Sequence, residues 1–168
     1  MKFSEFWCCL CEDLKANYML KSRVVVLLFR IANYFALKGR GGQLLGLPFI
    51  AIYVVIVEWF LGIEVHVKTR IGKGFVIYHG VGLVINGHSV IGENVQVRQG
   101  CCIGNKMDRA GSVSGAPIIG NNVELGVNAV VLGEINVADG VVIGAGAVVI
   151  KNCDPDGVYV GVPAVRIK

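Results

Sequence analysis

The chain is poor in charge. Only 17% of its 168 residues are Asp, Glu, Lys or Arg, the formal net charge is +4, and aromatics make up 8%. The basic residues fall in scattered pairs, Lys21 with Arg23, Lys38 with Arg40, Lys68 with Arg70 and Lys106 with Arg109. A nucleic-acid groove gathers basic residues on one face and interleaves them with aromatics, so nucleic acid is excluded as a partner. Dispersed charge of this kind suits the phosphates of a coenzyme or of a pyrophosphate-linked sugar better. A disulfide framework is also missing, although there are 6 cysteines. Cys8, Cys9 and Cys11 crowd one helix, Cys101 and Cys102 are adjacent, and Cys153 stands alone. Paired Cys-x-x-Cys metal spacing is absent, and the six read as small apolar filler in a reducing compartment. Residues 1–20 lack the unbroken apolar core of a secretory leader, since Glu5, Glu12 and Asp13 interrupt it. The expected location is cytoplasmic, with the inner face of the membrane as an option.

What is present is a period. From about Val65 to Ile150 an aliphatic residue recurs every six positions, commonly followed by Gly, as in Ile71-Gly72, Ile91-Gly92, Ile103-Gly104, Ile119-Gly120, Leu125-Gly126 and Ile143-Gly144. Val65, Ile77, Ile85, Val97, Val131 and Val137 keep the same frame once a two-residue slip near Leu83 and an insertion from Asn105 to Ala116 are allowed. Six matches neither the 3.6 of a helix nor the 2 of an alternating strand. It matches a solenoid in which each hexad is one face of a triangular coil with its aliphatic residue inward, and about twelve hexads make roughly four coils.

Ahead of the repeat, Phe3, Phe6, Trp7, Leu10 and Leu14 recur at helical spacing and predict a helix over residues 1–20, with Ser4 as its cap. A second helix is predicted from Lys21 to Ala36, ending at the breaker Lys38-Gly39-Arg40-Gly41-Gly42. The uncharged run from Leu44 to Val57 is shorter than the ~20 residues of a bilayer span and predicts a buried helix packed on the first coil or on its own copy. A reversible membrane contact aided by the flanking basic residues is the alternative. The expected division is a helical segment over 1–62 and a solenoid over 63–168, the latter closing with the turn Asp154-Pro155-Asp156-Gly157 and an extended segment near Gly161-Val162-Pro163-Ala164.

The repeat resembles the left-handed parallel β-helix of the hexapeptide-repeat acyltransferases over about half the chain. That resemblance implies a mainly β fold with an N-terminal helical appendage, and a homotrimer. Within it, Gly62-Ile63-Glu64-Val65-His66, Ile71-Gly72-Lys73-Gly74 and His79-Gly80-Val81-Gly82 resemble the first coil of the serine O-acetyltransferases. They resemble still more their polysaccharide-modifying relatives of colanic-acid type. The resemblance implies His79 as catalytic base and Glu64 as its acidic partner, fifteen residues earlier where a coil takes about eighteen. Neutral imidazole suits proton removal from an alcohol at cellular pH, and a carboxylate on its other nitrogen fixes the tautomer. Tyr78, His66, Lys106 and Arg109 are the expected substrate-facing residues, the last two on the insertion, which also carries Asp108. Acetyl-CoA is the implied co-substrate, with no metal. Gly104 and Asn105 are candidates to face the oxyanion of the thioester. Gly126, Ala129, Gly144, Ala147, Lys151 and Arg166 are candidates along the coenzyme groove. The serine enzymes carry an Arg-His pair before the proline matching Pro117 and an aspartate before the histidine. Here Gly115-Ala116 and Tyr78 occupy those places. The expected acceptor is therefore a sugar or glycan hydroxyl in exopolysaccharide or capsule synthesis, with serine and a non-catalytic scaffold as the alternatives. A metal shared by His66, His79 and His88 is disfavoured, because spacings of thirteen and nine put them out of register.

Overall fold

A computed structural model of the protein describes residues 2–107 and 109–168; Asp108 of the insertion lies outside them. Three helices, α1 (Phe3–Ala16), α2 (Leu20–Ala36) and α3 (Gly39–Tyr53), precede the repeat, and a π-helical turn, Val54–Phe60, extends the third. The solenoid then winds as a left-handed parallel β-helix. Its first coil is β1 (Glu64–Val65), β2 (Arg70–Ile71) and β3 (Val76–Tyr78), and its second is β4 (Val84–Ile85), β5 (Val90–Ile91) and β6 (Gln96–Arg98). The third is β7 (Cys102–Gly104), β8 (Ile118–Ile119) and β9 (Glu124–Leu125), and the fourth is β10 (Val130–Leu132), β11 (Asn136–Val137) and β12 (Val142–Ile143). A fifth coil follows from β13 (Val148–Val149) through Cys153 to β14 (Val158–Val160), and β15 (Val165–Arg166) turns back antiparallel against β14. Like strands stack into three faces, β1-β4-β7-β10-β13, β2-β5-β8-β11 and β3-β6-β9-β12-β14-β15.

The hexad residues behave as their period requires. Val65, Ile71, Ile77, Ile85, Ile91, Val97 and Ile103, then Ile119, Leu125, Val131, Val137, Ile143 and Val149, are all buried and line one continuous core. The expectation of roughly four coils falls short by one. The turn Asp154–Gly157 is itself a coil corner, with Asp156 at φ +53° where the coils below place Gly140 and Asn122. It carries no aliphatic-Gly signature and so escapes the pattern.

An open solenoid end leaves a row of backbone groups without partners, which must be satisfied or covered. Here side chains of α1, α2 and α3 take the place of a missing coil. Tyr53 donates to the carbonyl of Val65 at 2.6 Å, and Asn33 donates to those of Val67 and Thr69. Arg30 donates to Ile71 and Gly72, Asn17 to Phe75, and Ser22 to Ile77. In the other sense, the amides of Phe75 and Ile77 donate to Asp13 Oδ1 and Asn17 Oδ1. Asp13 and Arg30 are buried and paired, with Arg30 Nε 2.7 Å from Asp13 Oδ2. Burial pushes the Asp13 carboxyl upward, and the Arg30 guanidinium is the main group opposing it.

Two expectations for the helices are corrected. α1 ends at Ala16, because Asn17 leaves the helix to bond Phe75, and its N-cap is Lys2, whose amide Glu5 accepts at 2.8 Å; Ser4 is not the cap. The glycine run does break the helix as expected, since α2 ends at Ala36 and, after a turn at 37–38, Gly39 takes φ +74° where α3 begins. Glycine in this helix serves close packing on α2: a Cβ at Gly46 would stand 2.2 Å from Phe35 Cβ. The third helix is not buried. Gly46, Tyr53 and Val57 pack inward, but Leu44, Leu45, Trp59 and Phe60 are 70–83% exposed. The combined helix Gly39–Phe60 has 22 residues and a mean hydropathy of 1.9, enough by length and composition alone to cross a bilayer. Its hold on α2 and on Val65 instead ties it to the solenoid end.

Candidate active site and an adjoining cationic cavity

The slip in the repeat is where the chain exposes chemistry. Ile77 and Ile85 are eight residues apart instead of six, and the two extra residues are His79 and Gly80 at the corner between the third and first faces. His79 sits at φ +61°, a left-handed conformation uncommon for a residue with a side chain and often kept where function requires it. Gly80 follows at φ +37° and lies against Ile63, where a Cβ would come within 2.7 Å of Ile63 Cδ1. The imidazole of His79 is exposed, and the corner rests on the coil below through a Gly82 amide donating to the Gly62 carbonyl at 2.7 Å. Glu64 begins the first face two residues after Gly62, and its side chain is also exposed. The fold thus sets Glu64 and His79 on one corner. Among the described residues their side chains form no hydrogen bond or ion pair with each other.

Tyr78, one residue before His79, lies half-buried on the third face. Its ring centroid is 6.1 Å from that of Tyr18, and the Arg98 guanidinium is 5.1 Å from it. Arg98 was not legible as a site residue, because only the coil register that pairs Tyr78 with Arg98 brings the two together. Lys106 and Arg109 occupy an exposed hairpin-like loop held by the Met107–Val113 bridge and by a Ser114 hydroxyl that accepts the Lys106 amide. That loop leaves the corner between the first and second faces, across the first face from His79. Within one chain the structure does not bring Lys106 or Arg109 to His79.

The expected coenzyme positions divide. Gly104 and Asn105 end the first face in the third coil, where the Gly104 carbonyl accepts Gly133 N–H and Asn105 Oδ1 receives Asn86 Nδ2 at 3.5 Å. Gly126 and Gly144 are partly exposed at corners where coils touch: a Cβ on Gly126 would stand 2.5 Å from the Ala145 nitrogen. Ala129 and Ala147 are corrected as surface candidates. Both are 0% exposed, with each N–H donating within its own corner, to Gly126 and Gly144, and each C=O accepting from a neighbouring coil, so their small size answers core packing. Lys151 is exposed beyond β13, whereas Arg166 lies on β15 and pairs with Asp154 at 3.6 Å, so these two are not gathered. Cysteine chemistry finds no support here. Burial raises the thiols of Cys101, Cys102 and Cys153, the last to about 11, which holds them protonated at neutral pH.

At the first-to-second-face corner a cavity of about 610 Å³ opens between the first and second coils and the end of α2. His66, Lys68, Arg70 and His88 line it with Asn86 and Ser89. Desolvation lowers the affinity of His66 for a second proton, and the charges of Lys68 and His88 lower it further. His66 Nδ1 accepts the Lys68 amide at 3.2 Å, so in the neutral ring Nε2 carries the proton. Of this group the sequence singled out only His66. His79 lies on the other side of the first face, so the three histidines do not converge. Among the described residues no group of three His, Cys, Asp or Glu side chains is arranged to hold a metal ion.

No protein-family model matches the chain. It is 36% identical over 161 residues to the Escherichia coli K12 protein named as a colanic acid biosynthesis acetyltransferase, WcaB, covering 94% of this chain and 97% of that one. It is 37% identical over 102 residues to the serine acetyltransferase of Synechococcus elongatus, covering 61% of this chain but 41% of that enzyme. Among solved structures, a serine acetyltransferase in complex with CoA superposes with a TM-score of 0.78 at 23% identity, over 98% of this chain and 70% of that one. At that identity the likeness bears on the fold alone.

Proposed function

The chain belongs to the hexapeptide-repeat acetyltransferase family of the colanic acid protein it matches over nearly its whole length, and from that membership we propose that it carries an acetyl group from acetyl-CoA to a sugar hydroxyl. The observation that carries this reading is His79, exposed by a two-residue bulge at a left-handed φ on the first coil, with Glu64 on the same corner. The acceptor hydroxyl gives its proton to the His79 imidazole as its oxygen attacks the thioester carbonyl. The tetrahedral oxyanion then collapses, the carbon–sulfur bond breaks, and the leaving CoA sulfur recovers the proton from the imidazolium. Glu64 supplies negative charge near that imidazolium, and its displacement of charge is worth most where water is excluded.

A sugar is favoured over serine because Ala116 and Tyr78 stand where the serine-type pattern places groups able to hold an amino acid. A carboxylate entering without such partners would lose its charge-assisted hydrogen bonds. The near-complete overlap with the colanic acid protein supports the same choice, whereas the 102-residue likeness to a serine enzyme is what keeps serine as the second reading. The test is acetyl-CoA-dependent thiol release with nucleotide sugars, repeat-unit oligosaccharides and serine offered in turn. Turnover on a sugar with little on serine is expected; serine turnover matching a dedicated serine enzyme overturns the proposal.

A trimer completes this reading. Val84, Val90 and Ile118 on the outer faces and the open side of the 39–60 helix are apolar surfaces that need a partner. The Lys106–Arg109 loop, remote from its own His79, would then serve a neighbour's. Sedimentation should show three copies of the 18.0 kDa chain, and a monomer at micromolar concentration removes the trimer. Mixed trimers of a His79→Ala chain with an Arg109→Ala chain should regain part of the activity each lacks alone.

A further inference from the structure

We propose that the cavity lined by His66, Lys68, Arg70, His88, Asn86 and Ser89 seats the phosphate or pyrophosphate through which the acceptor sugar is joined to its carrier. The inference rests on the acetyl-transfer reading and names the chemistry of the acceptor's other end. Four nitrogen-bearing side chains, two imidazoles, an ammonium and a guanidinium, surround about 610 Å³ without a carboxylate among the lining residues. Neither Lys68 nor Arg70 has an ion-pair partner among the described residues. The nearest carboxylate on the adjoining cleft, Glu5, already accepts the Lys2 amide. Glu64 is a carboxylate whose charge reaches His66, and an oxyanion accepting from ammonium, guanidinium and imidazole groups would balance the exposed Lys68 and Arg70.

A second, independent observation points the same way. Ser89 is 1% exposed and its hydroxyl has no hydrogen-bond partner. Thr69 sits one coil below, and its hydroxyl reaches the carbonyl of Asn86 at 3.3 Å. A buried hydroxyl left without a partner is costly, and an oxyanion seated against it would relieve that cost. The wall is also preset: a Cβ at Gly87 would stand 2.4 Å from His66 Nδ1, so glycine lets that ring lie flat beneath the corner with its Nε2 proton free to donate.

The spacing suits one acceptor. Glu64 on β1 and His66 just after it are both exposed, and from Gly62, beneath the His79 corner, to His66 is roughly 13 Å of extended chain. A sugar ring carrying a diphosphate is of that length. With the diphosphate in the cavity, the ring would extend along the first coil toward the His79 corner.

The direct test is titration of the whole protein with inorganic pyrophosphate, followed by the C2–H resonances of its 3 histidines. Those of His66 and His88 should move saturably while that of His79 stays, and Lys68→Gln or Arg70→Gln, both on exposed side chains, should weaken binding about tenfold. No saturable shift, an equal shift of all three, or an affinity untouched by both substitutions overturns the site. In transfer assays the same variants should raise KM about tenfold for a nucleoside-diphosphate sugar or for a prenyl-diphosphate sugar, whichever is the carrier. kcat and the KM for an unphosphorylated sugar should not change. A rise in the KM for acetyl-CoA instead would give the cavity to the donor's phosphates, and unchanged KM for both diphosphate acceptors would remove the anchor; either result overturns the proposal. If the wild-type protein acetylates no sugar, the acetyl-transfer reading fails by itself, and the pyrophosphate titration still decides the site.

Discussion

Replacing His79 with Ala is expected to lower turnover by about 10² to 10⁴ while acetyl-CoA binding stays close to its wild-type value. The imidazole is exposed at the bulge and carries no packing load, so the variant should keep its fold, and circular dichroism with an unchanged melting temperature would show that. Glu64→Gln keeps size and loses charge, and should cost less than His79→Ala. If the two act as one unit, the double variant is scarcely worse than His79→Ala, because a carboxylate that works through an imidazole has nothing to act on once the ring is gone. Losses that simply multiply would show that the corner pair is not the catalytic unit. An activity that survives His79→Ala would place the base elsewhere.

The second large effect is on stability. Arg30→Leu removes the guanidinium that neutralises Asp13 and satisfies the carbonyls of Ile71 and Gly72 at the open end of the first coil. Breaking a buried ion pair from one side costs about 3–5 kcal/mol. For a chain of this size that should lower Tm by roughly 6 to 20 °C. Arg23→Leu, on an exposed position of the same helix, is the control and should change stability by no more than about 0.5 kcal/mol. Removing Asp13 as well, in the double variant Asp13→Leu/Arg30→Leu, should cost less than the two single losses added together, since no uncompensated charge is left. An Arg30→Leu protein that melts with the Arg23→Leu control would show that the helices do not depend on this pair to close the solenoid.

The sequence by itself determined the solenoid and the position of the imidazole at its bulge. A six-residue period is a local property: each inward aliphatic residue from Val65 to Val149 reports its own burial, and the fold follows by stacking. The bulge at His79 was legible for the same reason, since eight residues between Ile77 and Ile85 cannot fit a six-residue face. Partnerships between distant segments left no such mark. Asp13 and Phe75 are 62 residues apart, and nothing in the spacing of α1 says which amide of the first coil its carboxylate will accept. The same holds for His66 and His88, which share a cavity only because coil on coil sets residue 70 beside residue 90. Glycine was legible as the break at 39–42 that separates α2 from α3, but not as the close contact at Gly46 that brings α3 onto α2. Uncharged composition suggested burial for residues 44–57, but one solenoid end is too small to cover both sides of a 22-residue helix. Period and loop length are written along the chain. Which polar group meets which carbonyl, and which apolar face stays open, is decided only when separate segments compete for the same surface.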